Sequence, residues 1–457
     1  MKAMSLREIA SAVGGRYCGG ESKLELQVSG VAIDSRKVAE GYLFVPIKGA
    51  RVDGHQFIPQ VMEKGALCTL SEHALEDVSY PYIRVDSCQQ ALKDLAEHYR
   101  NALGIKVVGI TGSVGKTSTK EMIASVLSQK YQVLKTEGNF NNEIGLPLTI
   151  FNIREEHEVA VLEMGISEFG EMHRLTKMAR PDVCVITNIG LCHLENLGDR
   201  DGVLRAKTEM FDYMQADAKI ILNGDDDKLI TVKEREGYHP LYFGLSEGMD
   251  AYADKIQSLS LKGTACTLHL EGETLDVTIP IPGHHMVYNA LAGALVGQEL
   301  GLRADEIKAG IESLIPVSGR NHLIETENLF IIDDCYNANP VSMKASLDVL
   351  ATVSGRKVAI MGDMFELGEH ERALHFEVGE HAAEKGIDLV ICIGGLSEET
   401  ARGASASESV VKHFGTKAEF LAKAKELLCK GDTVLVKASH GMGFAEIVEE
   451  LQEIKLF

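Results

Sequence analysis

The stretch KVVGITGSVGKTSTKEMIASVL, from Lys106 to Leu127, constrains this chain more than any other. An apolar run, Val107–Ile110, breaks into a loop carrying Gly112 and Gly115. Lys116, Thr117 and Ser118 follow, and then a segment with helical spacing. Backbone N–H groups in such a loop, with the positive end of the following helix, bind phosphate oxygens. Lys116 would reach the outer phosphates of a nucleotide, and the Thr117 hydroxyl would ligate Mg²⁺. The strict pattern G-x-x-x-x-G-K-[ST] asks for glycine at 110, where this chain has Ile110. The form present, Thr111 to Thr117, is the variant T-G-S-V-G-K-T. A glycine turn that precedes a lysine by chance is the plainer alternative. The strand before, the helix after and the intact G-K-T weigh against it.

Strand-like and helix-like stretches alternate after this loop. Strands are expected at Val107–Ile110, Val159–Glu163, Val183–Thr187 and Lys219–Leu222, and again at Leu329–Asp333, Lys357–Met361, Leu389–Ile393 and Thr433–Lys437. That rhythm implies right-handed crossovers and mostly parallel sheets. Before the loop lie shorter strand-like runs, Tyr42–Ile47 and Tyr82–Val85, and a helical stretch, SCQQALKDLAEHYRNAL. The expected fold is α/β with three domains. A small α/β N-terminal domain spans 1–103, a central P-loop-type parallel-sheet domain 104–315, and a C-terminal Rossmann-like domain 316–457.

Composition removes several functions. The formal net charge is −21 and the isoelectric point about 5.2, so the chain repels nucleic acid and anionic membranes in the absence of a basic patch. No run of basic residues supplies one, and nucleic acid is not an expected partner. Nine cysteines are scattered without C-x-x-C spacing, which argues against a disulfide framework or a structural zinc site. No window approaches the roughly 18 apolar residues of a membrane span, and the N-terminus has no apolar signal core. A soluble, cytoplasmic protein without membrane insertion is expected.

In parallel α/β sheets, ligands sit at the carboxyl ends of strands, so the residues there are the ones to inspect. Glu163 ends the strand VAVLE, where a carboxylate could hold Mg²⁺ or its waters; elsewhere such a residue is usually a cap. Asn188 and His193 follow the strand VCVIT. Lys207 lies on a helical stretch and, on residues alone, is a solvated lysine by default. Asp225–Asp227 could touch metal or ribose, or simply form a solvated turn. Arg320, in VSGRNHL, and Asp333, Asp334, Asn337 and Asn339, in FIIDDCYNANPVS, look like a site rim. An arginine beside an interdomain hinge can close on a transferring phosphoryl group.

These residues also carry a resemblance. TGSVGKTSTKE, NFNNEIGLPLT, LEMGISEFGEM, TNIGLCHLENLG, AKTEMF, NGDDD, SGRNHL, DDCYNANPVSMKASLD and GDMFELGE resemble, in order, the motifs of the Mur ligases of peptidoglycan synthesis. The N-terminal GVAIDSRKVAEGYLFVPIKGARVDGHQFI is similar to their uridine-nucleotide module, so the likeness covers essentially the whole chain. Within the family the motifs look like those of the branch that adds D-alanyl-D-alanine to UDP-N-acetylmuramoyl-tripeptide.

The resemblance implies that ATP phosphorylates the tripeptide carboxylate and that the dipeptide amine attacks the acyl phosphate. It assigns Thr111, Gly112, Ser113, Val114, Gly115, Lys116, Thr117 and Ser118 to the ATP phosphates, and Asn289, Arg320 and Asp334 to the nucleotide. Two Mg²⁺ ions are implied, one held by Thr117 and Glu163, the other by His193 and an N-carboxylated Lys207. Lys116, His193, Lys207 and Arg320 are the implied catalytic set. Asp34, Ser35 and Arg36 would meet the uridine nucleotide, and Asn139, Asn141 and Asn142 the muramoyl-peptide. A monomer is expected.

Two departures stand out. G-x-H-N-x-x-N becomes GHHMVYN, with Met286, and K-G-S-R becomes KASH, with Ala438 and His440. Three rivals are weaker. A ligase adding diaminopimelate or lysine would carry D-N-P-R, which is absent. Folylpolyglutamate synthase lacks the DSRKVAEGYLF segment. A nucleotide switch would carry D-x-x-G and N-K-x-D, where this chain has EMGI and TNIG.

Overall fold

The computed structural model describes residues 1–233, 237–406 and 409–456. It contains two compact units. One comprises Met1–Thr111, Lys130–Val185 and Ala206–Ile220, the other Gly112–Gln129, Ile186–Arg205 and Ile221–Phe457.

The first unit holds a five-stranded sheet in the order Arg16–Cys18, Tyr82–Arg84, Cys68–Ser71, Tyr42–Phe44, Gly30–Ala32. Its first pair is antiparallel and the rest are parallel. Helix Cys88–Asn101 follows, started by Ser87, whose hydroxyl accepts from the Gln90 N–H. It buries Leu92, Leu95, Ala96 and Tyr99 along one stripe, the spacing of an amphipathic helix. The unit also contains Lys106–Thr111 and Val159–Glu163 as parallel neighbours, with Val133–Lys135 parallel beyond them. The runs VVGIT and VAVLE are buried throughout, as strands covered on both faces must be.

In the second unit, Ile221–Asn223 pairs in parallel with Leu241–Gly244, and that strand with Ala251–Ser258. An antiparallel ribbon, Thr264–Leu270 with Glu273–Ile279, continues from it. None of these last strands is expected from the sequence pattern. Stretches such as ETLDVTI bury only alternate residues, so their apolar signal is half that of the parallel strands. Helix Lys116–Leu127 packs against helices His285–Glu299 and Ala304–Glu312.

A six-stranded sheet completes this unit, in the order His322–Glu325, Phe330–Asp333, Thr433–Lys437, Lys357–Gly362, Leu389–Ile393, Val410–Phe414. All but the first pair are parallel. Ile331, Val358, Ile391 and Val434 join one core cluster, while their chain neighbours Ile332, Ala359, Val390 and Leu435 join another. Alternate side chains therefore enter two cores, one on each face, as a doubly wound sheet requires. Helices Glu371–Glu384 and Ser397–Ala404 meet at glycines. A Cβ on Gly403 would lie 2.2 Å from the Phe376 carbonyl oxygen, and one on Gly379 2.0 Å from that of Thr400. Among the described residues, no helix is long and apolar enough to cross a membrane.

Candidate active site

The phosphate loop takes a shape that only glycine permits. Gly112 has φ +152, and a Cβ there would lie 1.9 Å from Thr187 Oγ1. Gly115, at φ +83, precedes helix Lys116–Leu127, and no side chain caps that helix start. The dipole of that helix favours negative charge at its start.

Two residues after strand Val183–Ile186 brace the loop. Ser113 N–H donates to the Asn188 carbonyl at 3.0 Å. The Asn188 side chain accepts from Val114 N–H and donates to Val114 O, both at 2.9 Å. The Thr187 hydroxyl donates to the same carbonyl at 2.7 Å. Lys116 Nζ folds back onto Gly112 O at 2.8 Å. Thr111, just before the loop, has a buried Oγ1 with no hydrogen-bond partner among the described residues.

A cavity of about 250 Å³ adjoins this loop within the second unit. Of the residues expected to meet the nucleotide, Val114, Gly115, Ser118, Asn289, Arg320 and Asp334 border it, whereas Thr111, Gly112, Ser113, Lys116 and Thr117 do not; Lys437 borders it as well. Asn289 is buried on helix His285–Glu299. Its Oδ1 accepts from Thr119 Oγ1 at 2.9 Å, and its amide nitrogen faces Met286 Sδ at 3.2 Å. Met286 thus meets the amide of Asn289 as a weak acceptor.

The acid that ends strand Phe330–Asp333 and the one after it hold the turn that carries Arg320. Asp333 Oδ2 accepts from Gly319 N–H at 2.7 Å, and Asp334 Oδ1 from Asn321 N–H at 3.2 Å. Arg320 lies between those two anchors, its guanidinium 4.2 Å from the centre of the Tyr336 ring, within cation–π range. Asp334 Oδ2 also accepts from Ser346 Oγ at 2.6 Å and Lys437 Nζ at 2.5 Å. Burial pushes the Lys437 ammonium below its ordinary range, against the attraction of Asp334. Lys437, Ser346, Tyr336 and Thr187 were not singled out from the sequence, since only the chain's return brings them here. The other expected rim residues have local duties. Asn339 caps helix Pro340–Ala351, while the Asn337 carbonyl accepts from Lys437 Nζ at 3.1 Å.

His193 has φ +51, and its Nδ1 lies 3.2 Å from Glu366 Oε2. The acidic run forms a braced turn. Asp225 accepts from Tyr288 OH, Asp226 from Ile189 N–H, and Asp227 pairs with Arg200. The turn reading of that run therefore describes it.

In the first unit, Glu163 is 3 % exposed and accepts from Asn141 Nδ2 at 2.9 Å. Lys207, on helix Arg200–Thr208, is 1 % exposed, in place of the solvated lysine that is the default. Asn142 Oδ1 accepts from Ile144 and Gly145 N–H, and Asn139 is exposed. A second cavity, about 650 Å³, is bordered by Asp34, Lys37, Lys135, Phe140 and Arg154. It brings the DSR and NFNN segments to one place, although Ser35, Arg36, Asn139, Asn141 and Asn142 do not border it. The Arg36 guanidinium holds the Asp34 carboxyl down at about 2.

The donors suit the implied groups. A helix start behind a glycine cradle fits a phosphate chain. Hydroxyl and carboxylate oxygens fit Mg²⁺, which keeps several waters and leans on substrate phosphates. Among the described residues, no group of three or more His, Cys, Asp and Glu is gathered as a metal cage, and such an ion needs none.

Comparison with known proteins agrees along the whole length. The patterns of the Mur ligase family catalytic domain, the Mur ligase middle domain and the Mur ligase glutamate ligase domain match residues 27–100, 110–297 and 319–440. The chain is 38 % identical to a Bacillus subtilis protein named UDP-N-acetylmuramoyl-tripeptide–D-alanyl-D-alanine ligase, covering 99 % of each. It is similar to the solved structure of MurF from Acinetobacter baumannii, with a TM-score of 0.92 and 31 % identity over 99 % of this chain and 100 % of that one. MurF from Thermotoga maritima in complex with ADP matches at a TM-score of 0.83 and 31 % identity, over 93 % and 97 % of the two chains. With a pattern match in each block and such a relative over its full length, this chain belongs to the Mur ligase family.

Proposed function

We propose that this chain is an ATP-dependent ligase that adds D-alanyl-D-alanine to UDP-N-acetylmuramoyl-tripeptide through an acyl phosphate. The observation that carries the reading is the cavity where the glycine loop and the start of its helix meet Arg320 and Asp334. The name of the Bacillus subtilis relative supports the choice of substrates, and the ADP complex of the Thermotoga maritima neighbour supports the nucleotide.

A carboxylate does not react with an amine until one oxygen becomes a leaving group. In the proposed reaction the tripeptide carboxylate attacks the γ-phosphorus and ADP departs. The dipeptide amine then attacks the carbonyl carbon, loses a proton and expels phosphate. The protein's part is positioning and charge neutralisation. Lys116 and the loop from Thr111 to Ser118 hold the phosphates, Asn289 and Asp334 position the nucleotide, and Arg320 closes on the transferring group.

Bound Mg²⁺ would offset charge on the phosphate oxygens. Thr117 and Glu163 are assigned to one ion, His193 and Lys207 to a second. Lys207 is assigned an N-carboxylate, which would supply an oxygen donor to that ion. Asp34, Ser35 and Arg36 are assigned to the uridine nucleotide, and Asn139, Asn141 and Asn142 to the muramoyl-peptide. The cations Lys37, Lys135 and Arg154 around the larger cavity suit a diphosphate. Domains at 1–103, 104–315 and 316–457 accord with the three matched segments, and we place the enzyme in the cytoplasm as a monomer.

Heavy-oxygen labelling of the tripeptide carboxylate tests the chemistry. One labelled oxygen should appear in the released phosphate. Label found only in the peptide product would rule out the acyl phosphate.

A further inference from the structure

The segment GDMFELGE leaves strand Lys357–Gly362 and is not used by the reaction as described. Hydrogen bonds fix the three residues after Gly362. Asp363 O accepts from Ser439 N–H at 3.0 Å, and Asp363 Oδ1 from Ser397 N–H at 2.7 Å. Met364 N–H donates to His375 Nε2, and Phe365 N–H to Ser439 Oγ, both at 2.9 Å. The next residue, Glu366, has φ +63 and meets His193, at φ +51. Neither is glycine, and both sit where side chains are disfavoured. Strain of this kind persists where function or surrounding structure imposes it.

Stability does not explain the contact. The Glu366 side chain is 72 % exposed and that of His193 30 %, and such exposed pairs add little. The chemistry of imidazole supplies a reason. A cation ligand must be a neutral imidazole with a lone pair on one nitrogen, and a carboxylate accepting from the other nitrogen selects that tautomer.

We infer that Glu366 is a positioning residue for His193, accepting its Nδ1–H and so leaving the lone pair on Nε2 for the divalent cation. The inference rests on the proposed role of His193 as a cation ligand. It ties the cation site to the 437–441 segment, because Ser439 anchors the turn that presents Glu366.

Glu366→Gly tests this in the full-length chain. Glycine is at home at φ +63, so the turn should hold and the thermal midpoint should not fall. Nitrogen-detected NMR of the His193 ring, without nucleotide, should show the Nδ1–H tautomer in the parent and the Nε2–H tautomer in Glu366→Gly. The Mg²⁺ concentration for half-maximal turnover should rise about tenfold, with KM for the dipeptide unchanged, and Glu366→Gln should recover part of the loss. An unchanged tautomer and Mg²⁺ requirement in Glu366→Gly would overturn the inference. If His193→Ala raises the Mg²⁺ requirement and Glu366→Gly does not, only the role of Glu366 fails. If neither does, the cation role of His193 fails with it.

Discussion

Lys437 Nζ lies 2.5 Å from Asp334 Oδ2, and both side chains are almost fully buried. This pair sits under the cavity that adjoins the phosphate loop, so the floor of the candidate nucleotide site is an ion pair closed off from water. Asp334→Asn would leave the lysine charge buried without its partner. Unfolding measurements should show a loss of about 3–5 kcal/mol, and KM for ATP should rise. The double variant Asp334→Asn with Lys437→Met should regain much of the stability, since removing both charges costs less than stranding one.

Gly112→Ala tests the loop's geometry. The added methyl would enter the space of Thr187 Oγ1, at a φ that disfavours alanine. Thr187 also holds the loop through Val114, so relief by its movement would undo the brace. KM for ATP should rise at least about tenfold, the equivalent of about 1.4 kcal/mol.

Burial of Lys207 with the proposed carbamate predicts an order among replacements. Lys207→Ala should lower turnover by about a hundredfold or more, following the upper range for lost metal-site groups. Lys207→Glu restores a carboxylate and should retain more activity than alanine. Steady-state rates at saturating Mg²⁺ check this.

Stability should fall in acid through His285. Burial pushes its imidazole below the ordinary 6.5, outweighing the pull of Asp334. The unfolded chain then takes up a proton below pH 6.5 that the folded chain refuses, so stability is full above 6.5 and declines as pH falls. The decline from this group is at most about 1.4 kcal/mol per pH unit. Denaturant titrations from pH 7 to pH 5 should show it, and His285→Asn should remove it.

The strands Val159–Glu163, Leu389–Ile393 and Thr433–Lys437 have the bounds expected from the sequence, because both faces are buried and the apolar run is unbroken. Strand Glu273–Ile279 was not legible, since one face meets solvent and its polar residues dilute the pattern. The glycine loop and Asn188 were legible because their chemistry is local or lies at a strand end. Tyr336 under Arg320 and Lys437 under Asp334 were not. These depend on which strands become neighbours, and the pairing of 330–333 with 433–436 joins segments a hundred residues apart. Asn339, legible as polar rim, proved to be a helix cap.

The central claim is that ATP's phosphate is spent on joining two peptides. Phosphate release measured with ATP, Mg²⁺, UDP-N-acetylmuramoyl-tripeptide and D-alanyl-D-alanine, omitting each in turn, tests it most directly. The account predicts sustained release only in the complete mixture. Sustained turnover indifferent to both peptide substrates would contradict it.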